Sequence, residues 1–373
     1  MKITAVKATP VTVELIRPSA SAMSCSNVIT RTIVEIETDA GISGLGETGG
    51  ADVAAIITEK FAPQLLGRDP RERMSLRRLC LPHYRDYGMP RYPLEMSSYA
   101  GVEIALWDIL GKSVDLPLYR VLGGAVRPRA PFSSYAFTLD VAGTDERDVP
   151  LKMAELAVQQ VTEMGASMFE FKVARHSVDC DIETVREIRR ALGPDIEIAV
   201  DANMRYSVDQ ARRFLRAVGS ELANIEEPTS SLAECSRLRA DFGVPVSTHC
   251  ADFDTLQQHP LLDNVVGALD QQGGIARTME LAGIAAALGR RYWLRSCLEL
   301  GVAWAAMTHL GMACLHLDRP AQGLIHWVKD DLIKGGPWLI REGGVAAPEL
   351  PGLGVALDKE AFAIAAERFE RRS

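Results

Sequence analysis

The sequence predicts an α/β protein, a closed barrel of parallel strands and helices preceded by a smaller α+β domain. Three observations carry this expectation. Seven short β-like runs, "SSYAFTL", "FEFKVA", "IEIAVDAN", "ANIEEP", "PVSTHC", "VGALDQ" and "YWLRS", alternate with helical patterns such as "DIETVREIRRALG" from about Arg129 onward, and successive β/α units build a parallel sheet. Polar residues near the ends of these runs, Lys172, Asp201, Glu226, His249, Asp270 and Arg295, recur every 21 to 29 residues. That repeat suits a barrel with its working groups at the C-terminal strand ends better than a doubly wound sheet. Ahead of the repeat the rhythm is different, β-rich and then helical, which marks a separate unit.

Taken in order, the opening runs "ITAVKATPVTVEL" and "RTIVEIETDAG" flank "IRPSASAMSCSN", whose small and polar composition predicts a hairpin with a long loop. Helical periodicity follows from Asp52 to about Leu122. In "YAGVEIALWDILGK" Val102, Ala105, Leu106, Ile109 and Leu110 share one face, and "VLGG" ends the region. Within "MFEFKVA" the alternation of a strand turns Phe169, Phe171 and Val173 to one side and Glu170 and Lys172 to the other. An unpaired buried ammonium costs several kcal/mol, so the second face must line something polar. The closing stretch "GGVAAPELPGLGVALD" reads as a return to the first domain. The expected boundaries are 1–126 for the capping domain, 127–343 for the barrel and 344–373 for the returning segment.

Composition sets limits on function. The chain has 373 residues, 47% hydrophobic and 24% charged, with net charge -8 and a pI near 5.5. An acidic chain without a Lys/Arg run argues against nucleic acid as the main partner. No stretch has the apolar core of a signal peptide or the length of a membrane span, so no membrane partner and a cytoplasmic location are expected. Seven scattered cysteines with no C-x-x-C spacing predict neither a disulfide framework nor a zinc knuckle.

Asp201 in "VDAN", Glu226 in "IEEP" and His249 in "PVSTHC" end three consecutive strands, so a barrel brings them to one side of its mouth. Each alone has an ordinary reading: an Asp after a strand caps a helix, Glu226 or Glu227 forms a salt bridge, a single His is structural. Together, two carboxylates and an imidazole suffice for a divalent cation with open positions.

These stretches, with "ALDQQGGI", "SCLELGVAWAAMTHLG" and the N-terminal "GISGLGETGG" and "YAGVEIALWDILGKSVDLPLYRVLGG", resemble the enolase superfamily of the muconate lactonizing enzyme and mandelate racemase type over essentially the whole chain. The resemblance implies a (β/α)7β modified TIM barrel under an α+β capping domain. It also implies Mg2+ held at Asp201, Glu226 and His249, a lysine base at Lys172, a carboxylate substrate and a homo-oligomer. "PVSTHCADFDTL" looks closest to the glucarate dehydratase branch, where an Asn follows Pro-x-x-Thr. A proton α to a carboxylate is too weakly acidic for a side-chain base unless the developing enolate is neutralised, which a chelated cation does. That cation should also depress the pKa of Lys172. Specificity in this family comes from the capping domain, so Arg17, Ser24, Asn27, Arg91 and Tyr92 are expected over the site, and Asn203 is expected with Arg17, Asn27 and Tyr92 among the substrate-binding residues.

The chain departs from the family pattern at three places. Glu170 stands where the first lysine of Lys-x-Lys is usual, and either pairs with Lys172 or carries a proton itself. His249 replaces an acid or amide; imidazole suits Mn2+ or another divalent metal better than Mg2+, and Asp252 is the fallback ligand. The racemases and dehydratases pair a sixth-strand Asp with a seventh-strand His, whereas Asp270 is here matched with Arg295. Arginine stays protonated and serves to bind a second carboxylate or stabilise an oxyanion. Glu299 in "SCLELG" is an acid, a hydrogen-bond partner or an ordinary carboxylate at a helix start. The leading expectation is an acid-sugar dehydratase-like lyase. Epimerisation with Asp270 or Glu299 on the opposite face, cycloisomerisation, and a non-catalytic relative of the same fold are the alternatives.

Overall fold

The computed structural model describes residues 1–82, 94–139, 144–250, 252–317 and 319–372. Its N-terminal domain opens with a three-stranded antiparallel sheet, β1 (Ile3–Ala20), β2 (Cys25–Thr38) and β3 (Ser43–Gly49), in the order β1-β2-β3. The expected long loop is not there. The ladder runs through the Ser-rich stretch to pair Ser19 with Ser26 and Ala20 with Cys25, leaving only residues 21–24 as the turn. Tertiary pairing overrides composition here: Ala20 also bridges Thr138 at the start of the barrel, and Ser19 donates to the Ser26 carbonyl at 3.1 Å.

Helices cover this sheet. They are α1 (Val53–Ala55), which passes through a π turn into α2 (Ala62–Leu65), then α3 (Arg73–Cys80), the long α4 (Leu94–Ser113) and α5 (Leu118–Val121). The face predicted from spacing is buried, with Val102, Ala105, Leu106 and Ile109 inaccessible to solvent. Two β3 glycines permit its close approach to α4: a Cβ on Gly46 would fall 1.8 Å from the Gly101 carbonyl oxygen, and one on Gly44 2.2 Å from that of Ala105.

The barrel has eight parallel strands: β4 (Ala130–Ala136), β5 (Met168–Lys172), β6 (Glu197–Asp201), β7 (Asn224–Glu226), β8 (Val246–Thr248), β9 (Asn264–Gly267), β10 (Arg291–Leu294) and β11 (Ala321–Gly323). They neighbour one another in sequence order, and β11 pairs with β4 to bring the sheet almost round on itself. Seven outer helices follow the first seven strands: α6 (Val149–Met164), α7 (Val178–Leu192), α8 (Val208–Val218), α9 (Leu232–Phe242), α10 (Phe253–Gln258), α11 (Ile275–Ala287) and α12 (Gly301–Ala313). This is the (β/α)7β arrangement. The last segment starts on the barrel, where β12 (Gly344–Val345) pairs with β4. It then touches α4 and α5, with Leu353 N–H donating to Asp108 at 2.8 Å, and ends in α13 (Lys359–Glu370) packed on β1. No helix among the described residues is long and apolar enough to cross a membrane, and none of the seven cysteines is in a disulfide.

Candidate active site

Strand alternation and register assemble the site. On β5, Phe169, Phe171 and Val173 are buried in the layer between strands and helices, which leaves Glu170 and Lys172 facing inward. The β5–β6 register sets Lys172 opposite Asp201, and the β6–β7 register sets Asp201 opposite Glu226. Lys172 Nζ donates to Asp201 Oδ2, and it stands 5.7 Å from the centre of the Tyr135 ring. Glu226 Oε1 lies 2.7 Å from His249 Nε2. The Gln322 amide on the eighth strand donates to Glu170 Oε1 at 2.8 Å and to Glu226 Oε2 at 3.3 Å.

The electrostatics of this cluster are governed by crowding of acids. Burial first, then the neighbouring Glu226 and Asp201 carboxylates, hold the Glu170 carboxyl well above its usual range. For Lys172 burial pulls the pKa down, but Asp201, Glu226 and Glu170 outweigh it, so the amine titrates above its ordinary value. The depressed Lys172 expected from sequence requires a cation that cancels these carboxylates. A cation fits the donor set: three buried acids share the mouth, and one of their oxygens, Glu170 Oε2, has no hydrogen-bond partner. His249 Nδ1 lies 3.2 Å from the Val266 carbonyl. Donation there turns Nε2 toward Glu226, the orientation in which a backbone carbonyl fixes a metal-binding imidazole. In the present arrangement burial lowers the His249 pKa but the Glu226 partner raises it further, a net upward shift.

The three expected ligands are held in pairs rather than closed on one point. Among the described residues the only trio of His, Cys, Asp or Glu with ligand atoms all within 4.8 Å is Glu146, His176 and Cys180. There the Glu146 carboxylate accepts the Ser177 N–H at 2.7 Å, at the N-terminus of α7.

Other sequence candidates take different roles. Asn203 holds Asp201, with its backbone N–H 2.8 Å from Oδ1 and its side-chain amide 3.0 Å from Oδ2. Asp270 is already engaged by Arg31 of β2 at 2.9 Å. Arg295 donates to Gln271 Oε1. Both Glu299 oxygens accept hydrogen bonds, from the Ser296 hydroxyl and the Cys297 N–H, and burial raises its pKa. Asp252 caps α10, accepting from Asp254 N–H at 3.1 Å and the Thr255 hydroxyl at 2.7 Å. Arg17 and Asn27 line a groove of about 420 Å³ with Glu14 and Arg372, and neither Lys172 nor a metal candidate lines it; Ser24 is exposed on the β1–β2 turn. Arg91 and Tyr92 lie outside the described residues.

Four participants escaped the sequence reading. Gln322 sits on a three-residue strand with no β-branched or aromatic residue. Tyr135 is the next-to-last residue of the first barrel strand, and its hydroxyl shares the field of Asp201, Glu170, Glu226 and Arg295; its position beside the lysine shows only in three dimensions. Asp181 on α7 accepts from Ala174 N–H at 2.9 Å and from Tyr206 Oη at 2.6 Å. It thereby joins the loop after Lys172 to the loop after Asp201. Ala174, Asn203, Met204, Glu227 and Leu298, in loops beyond β5, β6, β7 and β10, all have left-handed backbones, strain concentrated around the mouth. Arg31, finally, is a buried cation on a capping strand, bonded to Glu47 and Asp270 at 2.9 Å each.

Comparison with known proteins agrees with this geometry. The family model described as mandelate racemase / muconate lactonizing enzyme, N-terminal domain, matches residues 3–123, and the enolase C-terminal domain-like model matches residues 152–361. Among curated relatives, a D-galactonate dehydratase of Ralstonia nicotianae is 30% identical over 87% of this chain and 88% of its own. A "Probable glucarate dehydratase" of Streptomyces coelicolor is 28% identical over 91% and 85%, and a chloromuconate cycloisomerase of Pseudomonas putida 27% over 96% and 98%. A crystal structure of an enolase from Streptomyces coelicolor superposes with a TM-score of 0.90 at 30% identity, covering 100% of this chain and 99% of that one. An enolase from Pseudomonas fluorescens with bound magnesium, potassium and tartrate gives 0.88 at 25% identity, over 100% and 93%. Both domains of the chain are thus accounted for, and it belongs to the enolase superfamily, in the group of mandelate racemase and muconate lactonizing enzyme.

Proposed function

We propose that this enolase-superfamily enzyme is a metal-dependent lyase that removes the proton α to a carboxylate and eliminates water from a hydroxy or polyhydroxy acid. The observation that carries the reading is Lys172, an amine at an inner strand end, hydrogen-bonded to Asp201 and bordered by Glu170 and Glu226. A divalent cation, held by Asp201 and Glu226 with His249 beside them, would supply the positive charge that stabilises the enolate as it forms. Magnesium is bound, together with potassium, in a related structure, and the imidazole also suits Mn2+.

The chain's own residues account for the proton transfers. On a 2,3-dihydroxy acid unit neutral Lys172 takes the α-proton and the C–H electron pair enters the enolate; its collapse forms the Cα=Cβ bond as the β C–O bond breaks. The departing hydroxyl takes the proton back from Lys172 and leaves as water, which restores the amine; the enol product tautomerises to a 2-keto acid. One base is sufficient for this syn course. A partner on the opposite face is less well supplied, because Asp270 is engaged by Arg31 at 2.9 Å and Arg295 stays protonated.

Isomerisation is the second reading. Glu299 places a buried carboxyl, raised above its ordinary range by that burial, on the seventh-strand side, and a cycloisomerase is among the relatives. A library of hydroxy and sugar acids, incubated with the protein and Mg2+ or Mn2+ in D2O and followed by proton NMR, tests both. Keto-acid formation is the expected result, and α-hydrogen exchange without net elimination would favour isomerisation. A protein that takes up neither ion would overturn the enzymatic reading altogether.

A further inference from the structure

Two guanidinium groups approach Asp270, and they differ in one respect. Arg31 has two carboxylate partners, Glu47 and Asp270, each at 2.9 Å. Arg295 has none within ion-pairing distance among the described residues; its bonded side-chain partner is the neutral Gln271 amide oxygen. Its Nε is buried with no hydrogen-bond partner at all. The charge is nevertheless in the mouth, since it shares the field of Cys297, Asp270, Glu226 and Glu299 and acts on both His249 and Tyr135. The side chain is half-buried, and a guanidinium with its Nε sheltered from water and no anion against it is well placed to take one from a ligand. Its planar fork matches a carboxylate in two parallel hydrogen bonds.

Placement on the ring says what that ligand is. Arg295 follows the seventh strand of eight, whereas Lys172 and Asp201 end the second and third, so the cation stands across the mouth from the base. One carboxylate of a substrate belongs on the Lys172 and Asp201 side, where its α-carbon must lie. A group bound by Arg295 is therefore a second one, at a distance along the same molecule.

We propose that Arg295 binds a second carboxylate of the substrate, which makes the preferred substrate class the dicarboxylic hydroxy acids rather than their monocarboxylic counterparts. This rests on the lyase reading for the position of the first carboxylate, but it concerns binding and not turnover.

The test is a set of dissociation constants measured by calorimetry in the presence of Mg2+, on the Lys172→Ala background so that no turnover intervenes. Tartrate and malate are the dicarboxylate probes, glycerate and lactate the monocarboxylate ones. Each dicarboxylate is expected to bind at least tenfold more tightly than its monocarboxylate partner. With Arg295→Gln added the ratio is expected to fall toward one, and with Arg295→Lys, which keeps the charge without the fork, to an intermediate value. A ratio near one with Arg295 present, or a ratio unchanged by both substitutions, would overturn the proposal. Circular dichroism identifies a misfolded variant; should Arg295→Gln be one, the Arg295→Lys ratio decides alone, an unchanged value overturning the proposal. A retained dicarboxylate preference in a protein that shows no α-proton chemistry would count against the lyase reading and leave this subsite standing.

Discussion

Arg31, on the middle strand of the capping sheet, donates to Asp270 at the end of the sixth barrel strand at 2.9 Å, with both side chains almost inaccessible to solvent. The same guanidinium holds Glu47, whose carboxylate accepts the Leu300 and Ala303 N–H groups at 2.8 Å each, at the start of α12. One capping-domain cation therefore fixes the register of both domains at the rim of the site. Breaking a buried pair from one side strands the other charge. Arg31→Ala is expected to lower unfolding stability by about 3 kcal/mol or more, read from urea midpoints; a loss below about 1 kcal/mol would mean that the clamp is not what holds the domains in register.

Asp181 gives a pH signature. Burial pushes its carboxyl up to about 7, although the Tyr206 hydroxyl and the Ala174 N–H pull it down. The native state therefore keeps a proton that the unfolded chain has released, and the stability this supplies is lost as pH rises from about 4 to about 7. Asn at this position still accepts both hydrogen bonds through one oxygen and has no charge to bury. Asp181→Asn is expected to gain on the natural protein in unfolding free energy across that window, by on the order of 1 to 3 kcal/mol at pH 8. A difference independent of pH would refute the assignment.

The carboxylate cluster predicts metal dependence. Glu226 is bonded to His249 and to Gln322, and Glu226→Gln removes its charge while keeping its shape. Calorimetric affinity for Mg2+ or Mn2+ should fall by at least about tenfold, and a chelator should lower the thermal midpoint of the natural protein but not of the variant. Equal affinities would place the cation elsewhere.

How much of this was legible in the sequence depends on what kind of signal each residue carries. Lys172, Asp201 and Glu226 are found from sequence because strand alternation and a regular β/α repeat fix which way they face and how far apart they stand. The eighth strand is not, because Ala321, Gln322 and Gly323 have no strand-like side chains and pair only where the barrel closes. The β1–β2 ladder through Ser19 and Ser26 is hidden for the same reason. Asp270 reads as a site carboxylate, and its ion pair with Arg31, 239 residues earlier, shows only in the folded chain. Asp252 and Glu227 show the converse. The first is a helix cap, and the second accepts from the Thr248 hydroxyl and the His249 N–H at 2.9 Å each; these are the ordinary roles such residues have in isolation.

The central claim is that Lys172 moves the α-proton. Proton NMR in D2O with Mg2+, on a hydroxy acid turned over by the natural protein, tests it in the Lys172→Ala variant. The claim predicts that loss of the α-proton signal and formation of keto acid both fall by at least about a thousandfold, with circular dichroism and Mg2+ binding retained. Turnover within about tenfold of the natural rate would contradict it.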